Sequence, residues 1–292
     1  MEKILYIYFE ILLNVLKKYF HIFFCLTALS AVEAQSLRKP IASPYLGLGA
    51  YSGKHLETFS VTANQAALAQ LKDFSFGVYG ERRFMTGVTD MYSTVFILPS
   101  EKGNFAFQAD YFGYKNYNES QLGVAYARSL GPQLDVGIRF NYYSFRIPTY
   151  QQSATFNFEL GAIVHLTEQL HAGIHFYNPV GGYLSKTDNE KLASAYTFGL
   201  GYEAGESFLI SAELVKQENS PLNVNAGVQY NFSQQFFARL GLSSENETPY
   251  AGAGISWNKL RLDVSASYHP QLGLSPGLML IVHFKSRENE TP

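Results

Sequence analysis

The stretch Leu134-Asp-Val-Gly-Ile-Arg-Phe-Asn-Tyr142 decides the fold of this chain of 292 residues. Large apolar or aromatic side chains occupy every second position, and aspartate, glycine, arginine and asparagine stand between them. Successive side chains of a β-strand point to opposite faces, so this period of two predicts a strand with one apolar and one polar face. The same alternation returns in residues 196–202, 222–230 and 260–268.

Counting such segments predicts an all-β protein, a transmembrane antiparallel β-barrel over residues 74–284. Each segment has about nine to eleven residues, the length that crosses a bilayer when a strand is tilted. The count of about fourteen is even, as expected for single-chain bacterial barrels, and twelve remains open if two weak segments are loops. The predicted strands are 74–83, 90–98, 104–112, 120–129, 134–143, 155–166, 170–178, 195–203, 208–216, 222–231, 236–243, 249–257, 260–268 and 276–284.

A soluble β-sandwich also alternates, but two features favour a barrel in lipid. The polar face is rich in glycine, serine, asparagine and alanine and carries little charge. Aromatic residues, which gather where strands meet lipid headgroups, end the apolar face at Tyr111, Tyr142, Tyr177, Tyr202, Tyr230 and Tyr268.

The connections have the two lengths of an outer-membrane barrel, short turns on one rim and longer loops on the other. The predicted short turns are 131–133, 167–169, 233–235 and 258–259. The predicted longer loops are 146–154, 180–194, 217–221 and 244–248.

Residues 1–34 have the order of a cleaved signal peptide. Lys17 and Lys18 precede an apolar core over 22–31, and a small-x-small pattern ends at Ala34. The apolar patch ahead of these lysines suggests a true start near Leu16. The sequence therefore predicts export to the outer membrane of a Gram-negative bacterium and a polar C-terminal tail over 285–292.

Composition excludes several classes of function. The 22 Lys and Arg residues do not exceed the 24 Asp and Glu residues, so the chain has no basic excess to neutralise the phosphates of nucleic acid. Its single cysteine, Cys25, lies in the predicted leader, which leaves no disulfide framework and no thiolate metal site. No later segment has 18 consecutive apolar residues, so no transmembrane helix is expected there.

Charged residues on the polar faces are predicted to form a lumen network, because basic side chains facing lipid at mid-depth would cost about 2–4 kcal/mol. The network is either structural, which we favour, or a path for a substrate or an ion. Its predicted members are Asp110, Asp135, Arg139, Glu159, Glu213, Arg239, Arg261 and Asp263, and the same faces carry His171 and His175.

No catalytic, cofactor or metal site is predicted. His171 and His175 share a strand face but stand about 13 Å apart, too far for one metal ion. No segment sets a nucleophile beside a base, so a barrel-rim enzyme is the least favoured function.

Residues 35–73 do not alternate well. Residues 43–53 are rich in glycine and predicted to be extended, whereas Asn64 is a plausible N-cap for a short helix over 66–71. The segment is expected either to fold into the lumen as a plug or to remain a periplasmic stub.

A glycine-rich start followed by Asn64-Gln-Ala-Ala-Leu-Ala69 resembles the start of the long-chain fatty-acid transporter barrels. Asn64, Ala66, Leu68 and Ala69 match that family's Asn-Pro-Ala-Gly-Leu-Ala motif, while Gln65 and Ala67 replace its proline and glycine. The compact loops and the closing stretch 267–284 resemble more closely the PorV/PorQ branch, which is associated with type IX secretion. The resemblance implies a barrel of fourteen strands whose N-terminal segment enters or seals the lumen.

Two main functions follow. The favoured one is a structural or interaction component of a secretion or surface-attachment system, with secretion proteins or secreted cargo as partners. The alternative is a channel or transporter for small hydrophobic molecules, with a hydrophobic ligand in the lumen. In both cases the barrel wall contacts outer-membrane lipid.

Overall fold

The computed structural model describes residues 43–148, 151–181, 183–185, 190–218 and 220–284. The predicted leader, the start near Leu16, residues 35–42 and the C-terminal tail lie outside these residues and stay predictions. Among the described residues, no helix is long and apolar enough to cross a membrane.

Fourteen antiparallel strands close into a barrel, which confirms the predicted fold class and the count of fourteen. The first strand pairs with the last from Phe74↔Phe284 to Glu81↔Gly277, and every other barrel strand pairs with its neighbours in the chain. The barrel strands are β1 Phe74–Arg82, β2 Asp90–Leu98, β3 Asn104–Tyr114, β4 Tyr117–Ser129, β5 Leu134–Ile147, β6 Gln151–His165, β7 Leu170–Tyr177, β10 Ala195–Glu203, β11 Phe208–Gln217, β12 Leu222–Asn231, β13 Phe236–Ser243, β14 Thr248–Trp257, β15 Leu260–His269 and β16 Gly273–Phe284. Between β7 and β10, β8 Tyr183–Ser185 and β9 Glu190–Lys191 form a separate two-stranded sheet.

The two faces of the wall differ as the alternation predicts. On β5, Phe140 is 62% exposed, while Arg139 and Asn141 beside it are buried. The outward belt of exposed apolar side chains continues around the barrel, for example at Leu122, Leu240 and Val264. Such a belt is the surface that a membrane barrel presents to lipid.

Two predictions about the wall are wrong. The loop over 146–154 is largely strand, because β5 and β6 stay paired up to Ile147↔Gln151. Tyr177 does not belong to the outward aromatic belt, since it shares the inward face of His175 and is only 4% exposed. Tyr177 faces inward because it stands two residues after His175 on the same strand. It packs there in an apolar cluster with Tyr143 and Phe145 of the extended β5 and with Leu192.

The N-terminal segment is helical rather than extended. Helix α1, Ser43–Gly47, is followed by the 3₁₀ turns Leu48–Tyr51, Thr58–Thr62 and Gln65–Gln70. No wall strand pairs with residues 43–71, so local turns and polar side chains of the wall bind backbone groups there instead. The predicted helix over 66–71 is thus a 3₁₀ turn, and Asn64 caps it by accepting a hydrogen bond from the Ala66 amide at 3.0 Å.

Candidate functional site

Residues 43–71, here called the plug, lie inside the barrel. Helix α1 contacts β12 and β13, the turn Leu48–Tyr51 contacts β7 and β10 to β12, and the turn Gln65–Gln70 contacts β3 to β6. Tyr45, Tyr51, Phe59 and Leu68 are completely buried. The plug therefore reaches around the inner wall and occupies the lumen over part of its height.

Inward-facing glycines of the wall make room for the plug. A Cβ atom on Gly173 of β7 would lie 2.7 Å from the Tyr51 ring, and one on Gly252 of β14 would lie 2.5 Å from the Tyr45 ring. On β1, a Cβ atom at Gly77 would lie 2.6 Å from the Phe59 ring. Real Cβ atoms do not approach this closely, so these glycines are notches into which plug side chains fit.

One side of the plug is held by a buried ionic cluster at Glu57. Both oxygens of Glu57 accept hydrogen bonds from Arg239 of β13, each at 2.8 Å, and Nη2 of Arg261 of β15 lies 2.5 Å from Glu57 Oε2. Arg261 also donates two bonds at 3.0 Å to Asp263, whose side chain is fully buried. Burial alone would raise the pKa of Glu57, but the charges of Arg239 and Arg261 outweigh it and hold this pKa below its ordinary value.

The same cluster encloses an aromatic ring of the plug. The Arg239 guanidinium lies 5.0 Å from the centre of the Tyr45 ring and donates a hydrogen bond at 3.0 Å to the Tyr45 carbonyl. Burial is the main cause that raises the pKa of the Tyr45 hydroxyl, so this side chain stays neutral. Arg239 thus binds the plug at its carboxylate, its backbone and its ring.

A second polar cluster is centred on Glu159 of β6. Arg139 of β5 donates to both carboxylate oxygens, at 2.6 and 2.7 Å from Nη2, and Asn141 donates to Oε1 at 2.7 Å. Nε2 of His175 lies 2.9 Å from Oε2, and Gln65 of the plug donates a hydrogen bond to the same oxygen. Glu159 is fully buried, so these donors compensate for its loss of water.

Two carboxylates near the rim of short turns hold the middle and the C-terminal end of the plug. Glu203 of β10 accepts hydrogen bonds from the Ser52 hydroxyl at 2.5 Å and from the amides of Gly53 and Lys54 at 2.6 and 3.0 Å. Asp135 of β5 accepts a hydrogen bond from Gln70 at 2.9 Å.

Two histidines stand between these carboxylates. His165 Nε2 lies 2.8 Å from Asp135, and His165 Nδ1 lies 2.7 Å from Nδ1 of His171, which is 3.7 Å from Glu203. His171 and His175 therefore belong to different clusters.

The predicted lumen network is divided into separate groups. Arg239, Arg261 and Asp263 surround Glu57, Arg139 and Glu159 form the second cluster, and Asp135 lies near the rim. Asp110 accepts hydrogen bonds from Ser93 at 2.5 Å and from Gln108 at 2.7 Å, and Gln108 in turn accepts one from Arg139, which connects Asp110 to the second cluster. Glu213 accepts one from Asn225 at 3.4 Å. All eight predicted residues face inward. The groups around Glu57, around Glu159 and at Asp135 also bind residues of the plug.

The predicted motif residues form the C-terminal part of the plug. The side-chain amide of Asn64 donates from Nδ2 to the Ile174 carbonyl of β7 at 3.0 Å, and Ala66 and Leu68 are completely buried. Asn104 of β3 donates from Nδ2 to the carbonyls of Leu68 and Leu71, both at 2.8 Å, and more weakly to that of Ala69. The motif thus forms a turn against the inner face of the wall, and hydrogen bonds to its backbone hold it there.

One sector of the inner wall is apolar, in contrast to the polar clusters at Glu57 and Glu159. Phe59, Val61 and Leu68 of the plug pack in one cluster with inward side chains of β1 to β4 and β16. The wall side chains of this apolar sector are Tyr79, Val95, Ile97, Ala106, Ala125, Ala127, Met279 and Ile281.

Together these features define a plugged fourteen-strand barrel of the outer-membrane type. Among solved structures, the chain is similar to the Ralstonia pickettii toluene transporter TbuX, with a TM-score of 0.61, 10% identity, and coverage of 78% of this chain and 94% of that one. It is also similar to the Pseudomonas putida toluene transporter TodX, with a TM-score of 0.58, 10% identity, and coverage of 86% and 98%. A Pseudomonas aeruginosa FadL homologue gives a TM-score of 0.55, 9% identity, and coverage of 85% and 98%.

At these identities the likeness is one of fold. It agrees with the predicted resemblance to the fatty-acid transporter barrels at the level of architecture. The finer resemblance to the PorV/PorQ branch stays a prediction. No protein-family model matches the chain, and no curated protein sequence gives a significant match.

Proposed function

We propose that this protein is an outer-membrane channel for small hydrophobic molecules whose plug closes the lumen. The observation that carries the proposal is the apolar sector, because Val95, Ile97 and Ile281 line one side of the lumen with a surface that suits an apolar solute better than a water-soluble one. A hydrophobic solute could replace the contacts of Phe59, Val61 and Leu68 with that wall at little cost, since apolar surface stays out of water. Hydrocarbon-transporting barrels of the same fold support this choice over the secretion hypothesis.

The proposal requires the plug to move, and a reversible cross-link tests this requirement. The Thr58 hydroxyl donates to the Ser75 hydroxyl of β1 at 2.8 Å, so cysteines at these two positions can form a disulfide that fastens the plug to the wall. The experiment uses a chain in which Cys25 is replaced by serine. Uptake of toluene and of oleate into proteoliposomes is measured for the oxidised and the reduced protein.

We expect the oxidised Thr58→Cys, Ser75→Cys protein to take up less of either solute than the unsubstituted barrel, with recovery after reduction. The matched control joins two wall strands instead, through cysteines at Asn225 and Ser243, which are partners across β12 and β13. Equal uptake by the locked and the reduced plug would contradict plug movement. Absence of uptake of both solutes by the unlocked barrel would contradict the channel itself.

A second candidate is a structural component of a type IX-like secretion or surface-attachment system. The observation that favours it is the extent of polar anchoring, since Glu57, Gln65 and Gln70 fasten the plug to three separate places on the wall. A barrel held shut in this way would act through its surface. Normal secretion in a deletion strain, together with no stable partner in a pull-down from detergent extract, would rule against this role.

A further inference from the structure

The outward wall has a groove where β1, β2, β15 and β16 meet. Its volume is about 380 Å³, within the range of small-ligand sites, and it is lined by Gly80, Arg82, Tyr92, Val264, Pro276 and Leu278 among others. Tyr92, Val264 and Leu278 are each at least half exposed and belong to the lipid-facing belt. The groove is therefore open to lipid and independent of the plug and the lumen.

Gly80 creates the groove, and neither its backbone nor its neighbours require a glycine. Among the glycines of the described barrel strands, those on the inward face either have no room for a Cβ atom or adopt a positive φ. Gly80 has no positive φ, and a Cβ atom there would meet only the Tyr92 ring, at 3.5 Å. Its partners Tyr92 on β2 and Leu278 on β16 are large, so the missing side chain leaves a depression in an otherwise filled belt.

A polar group lies at one end of this depression. Arg82 is more than half exposed and donates from Nε to Asp90 at 3.2 Å and from Nη2 at 3.4 Å. No described residue accepts a hydrogen bond from its Nη1, so donors remain for an external acceptor. A site with an apolar floor and a guanidinium at the end suits a molecule with an acyl chain and a phosphate.

We propose that this groove binds one phosphate-bearing membrane lipid, with an acyl chain against Gly80 and headgroup oxygens at Arg82. The groove continues the lipid-facing belt, so lipid is the molecule that reaches it first and at the highest concentration. An acyl chain fills the space beside Gly80 and excludes water from the apolar floor. The phosphate accepts hydrogen bonds from the Arg82 donors that do not bind Asp90.

Native mass spectrometry of the delipidated full-length protein tests the site. The protein in dodecyl maltoside is incubated with dioleoyl phosphatidylglycerol or with dioleoylglycerol, which has the same chains and no phosphate. We expect one phosphatidylglycerol to survive transfer on the unsubstituted protein. The substitution Gly80→Leu lowers its occupancy by about tenfold or more because the leucine fills the groove, and Gly80→Ala lowers it less.

The control Ala226→Leu places the same side chain on an exposed outward position of β12, a strand that does not line the groove, and leaves occupancy unchanged. Arg82→Gln lowers the occupancy of phosphatidylglycerol but not that of dioleoylglycerol. Heat-dependent gel migration verifies that each variant is folded. Equal occupancy in Gly80→Leu and Ala226→Leu, or equal binding of both lipids to the unsubstituted protein, overturns the proposal.

Discussion

Replacing Glu57 by glutamine tests how strongly the ionic cluster holds the plug. The substitution keeps the size of the side chain but removes the charge that Arg239 and Arg261 face. Glutamine offers one acceptor oxygen where the carboxylate accepts two hydrogen bonds at 2.8 Å from Arg239 and lies 2.5 Å from Arg261. It also turns an amide toward a guanidinium.

The expected magnitude follows from the burial of the cluster. Glu57 is 2% exposed and Arg239 is fully buried, so the arginine keeps its charge with no water to replace the lost partner. Removing one partner of a buried ion pair costs about 3–5 kcal/mol. Since each 1.4 kcal/mol is a factor of ten, the population of the opened plug should rise by about two to four orders of magnitude.

Hydrogen–deuterium exchange, followed by mass spectrometry of peptides covering residues 44–58, measures this opening. Local opening sets the exchange rate of buried amides, so Glu57→Gln should lower their protection by the same factor. The matched control is Glu206→Gln, which removes an exposed ion pair with Lys54 and should leave protection nearly unchanged, since solvent screens such pairs. Equal protection in the two variants would refute the role of Glu57 in holding the plug.

Three further predictions concern the plug and its wall. Gly199→Leu should lower the unfolding free energy by about 1–3 kcal/mol, because the leucine side chain would overlap the Tyr51 ring. The control Ala212→Leu, on the outward face, should leave the unfolding free energy unchanged, and thermal melting of the two variants measures the difference. The depressed pKa of Glu57 means that its stabilisation is complete above the ordinary carboxyl pKa of about 4.3 and is lost as pH falls through the lower folded value. Exchange corrected for intrinsic rate should rise there, and Glu57→Gln should remove the part of this pH dependence that Glu57 contributes, while the part from Glu203, which binds Ser52 to Lys54, remains. Asn104→Ala should leave buried carbonyls without a donor, at about 1–3 kcal/mol, and so increase exchange in residues 66–71 but not in residues 44–57.

The wall could be predicted from the sequence because its signal is local. Each strand carries its own period of two, and the predicted bounds of residues 195–203, 222–231 and 236–243 agree with β10, β12 and β13. The prediction failed for residues 146–154, where the strands continue beyond the bilayer length. Phe145 of the extension packs in one cluster with Leu192, a residue of another loop, and a contact so distant in sequence leaves no local pattern.

The site could be predicted only on the wall side. Inward charges such as Arg239 follow from strand parity, but Glu57 lies in a segment without alternation and 182 residues from its partner. Glu203 and His165 share the inward parity of β10 and β6, but they stand at strand ends and were not predicted as site residues. A usable signal was present in the inward glycines, because a polar face of glycines leaves space that something else must fill.

The distribution of contacts around the plug decides how a channel of this kind could open. The polar anchors at Glu57, Gln65 and Gln70 cannot be replaced by a hydrocarbon, which offers no hydrogen bonds, so breaking them leaves buried charge uncompensated. The contacts of Phe59, Val61 and Leu68 with the apolar sector can be replaced by a hydrocarbon, because the wall then loses little apolar contact. A hydrophobic solute should therefore shift the plug only along the apolar sector while Glu57 stays bound to Arg239. Solute should then increase exchange in residues 59–63 and leave residues 44–57 protected, a pattern that unplugging of the whole segment would not give.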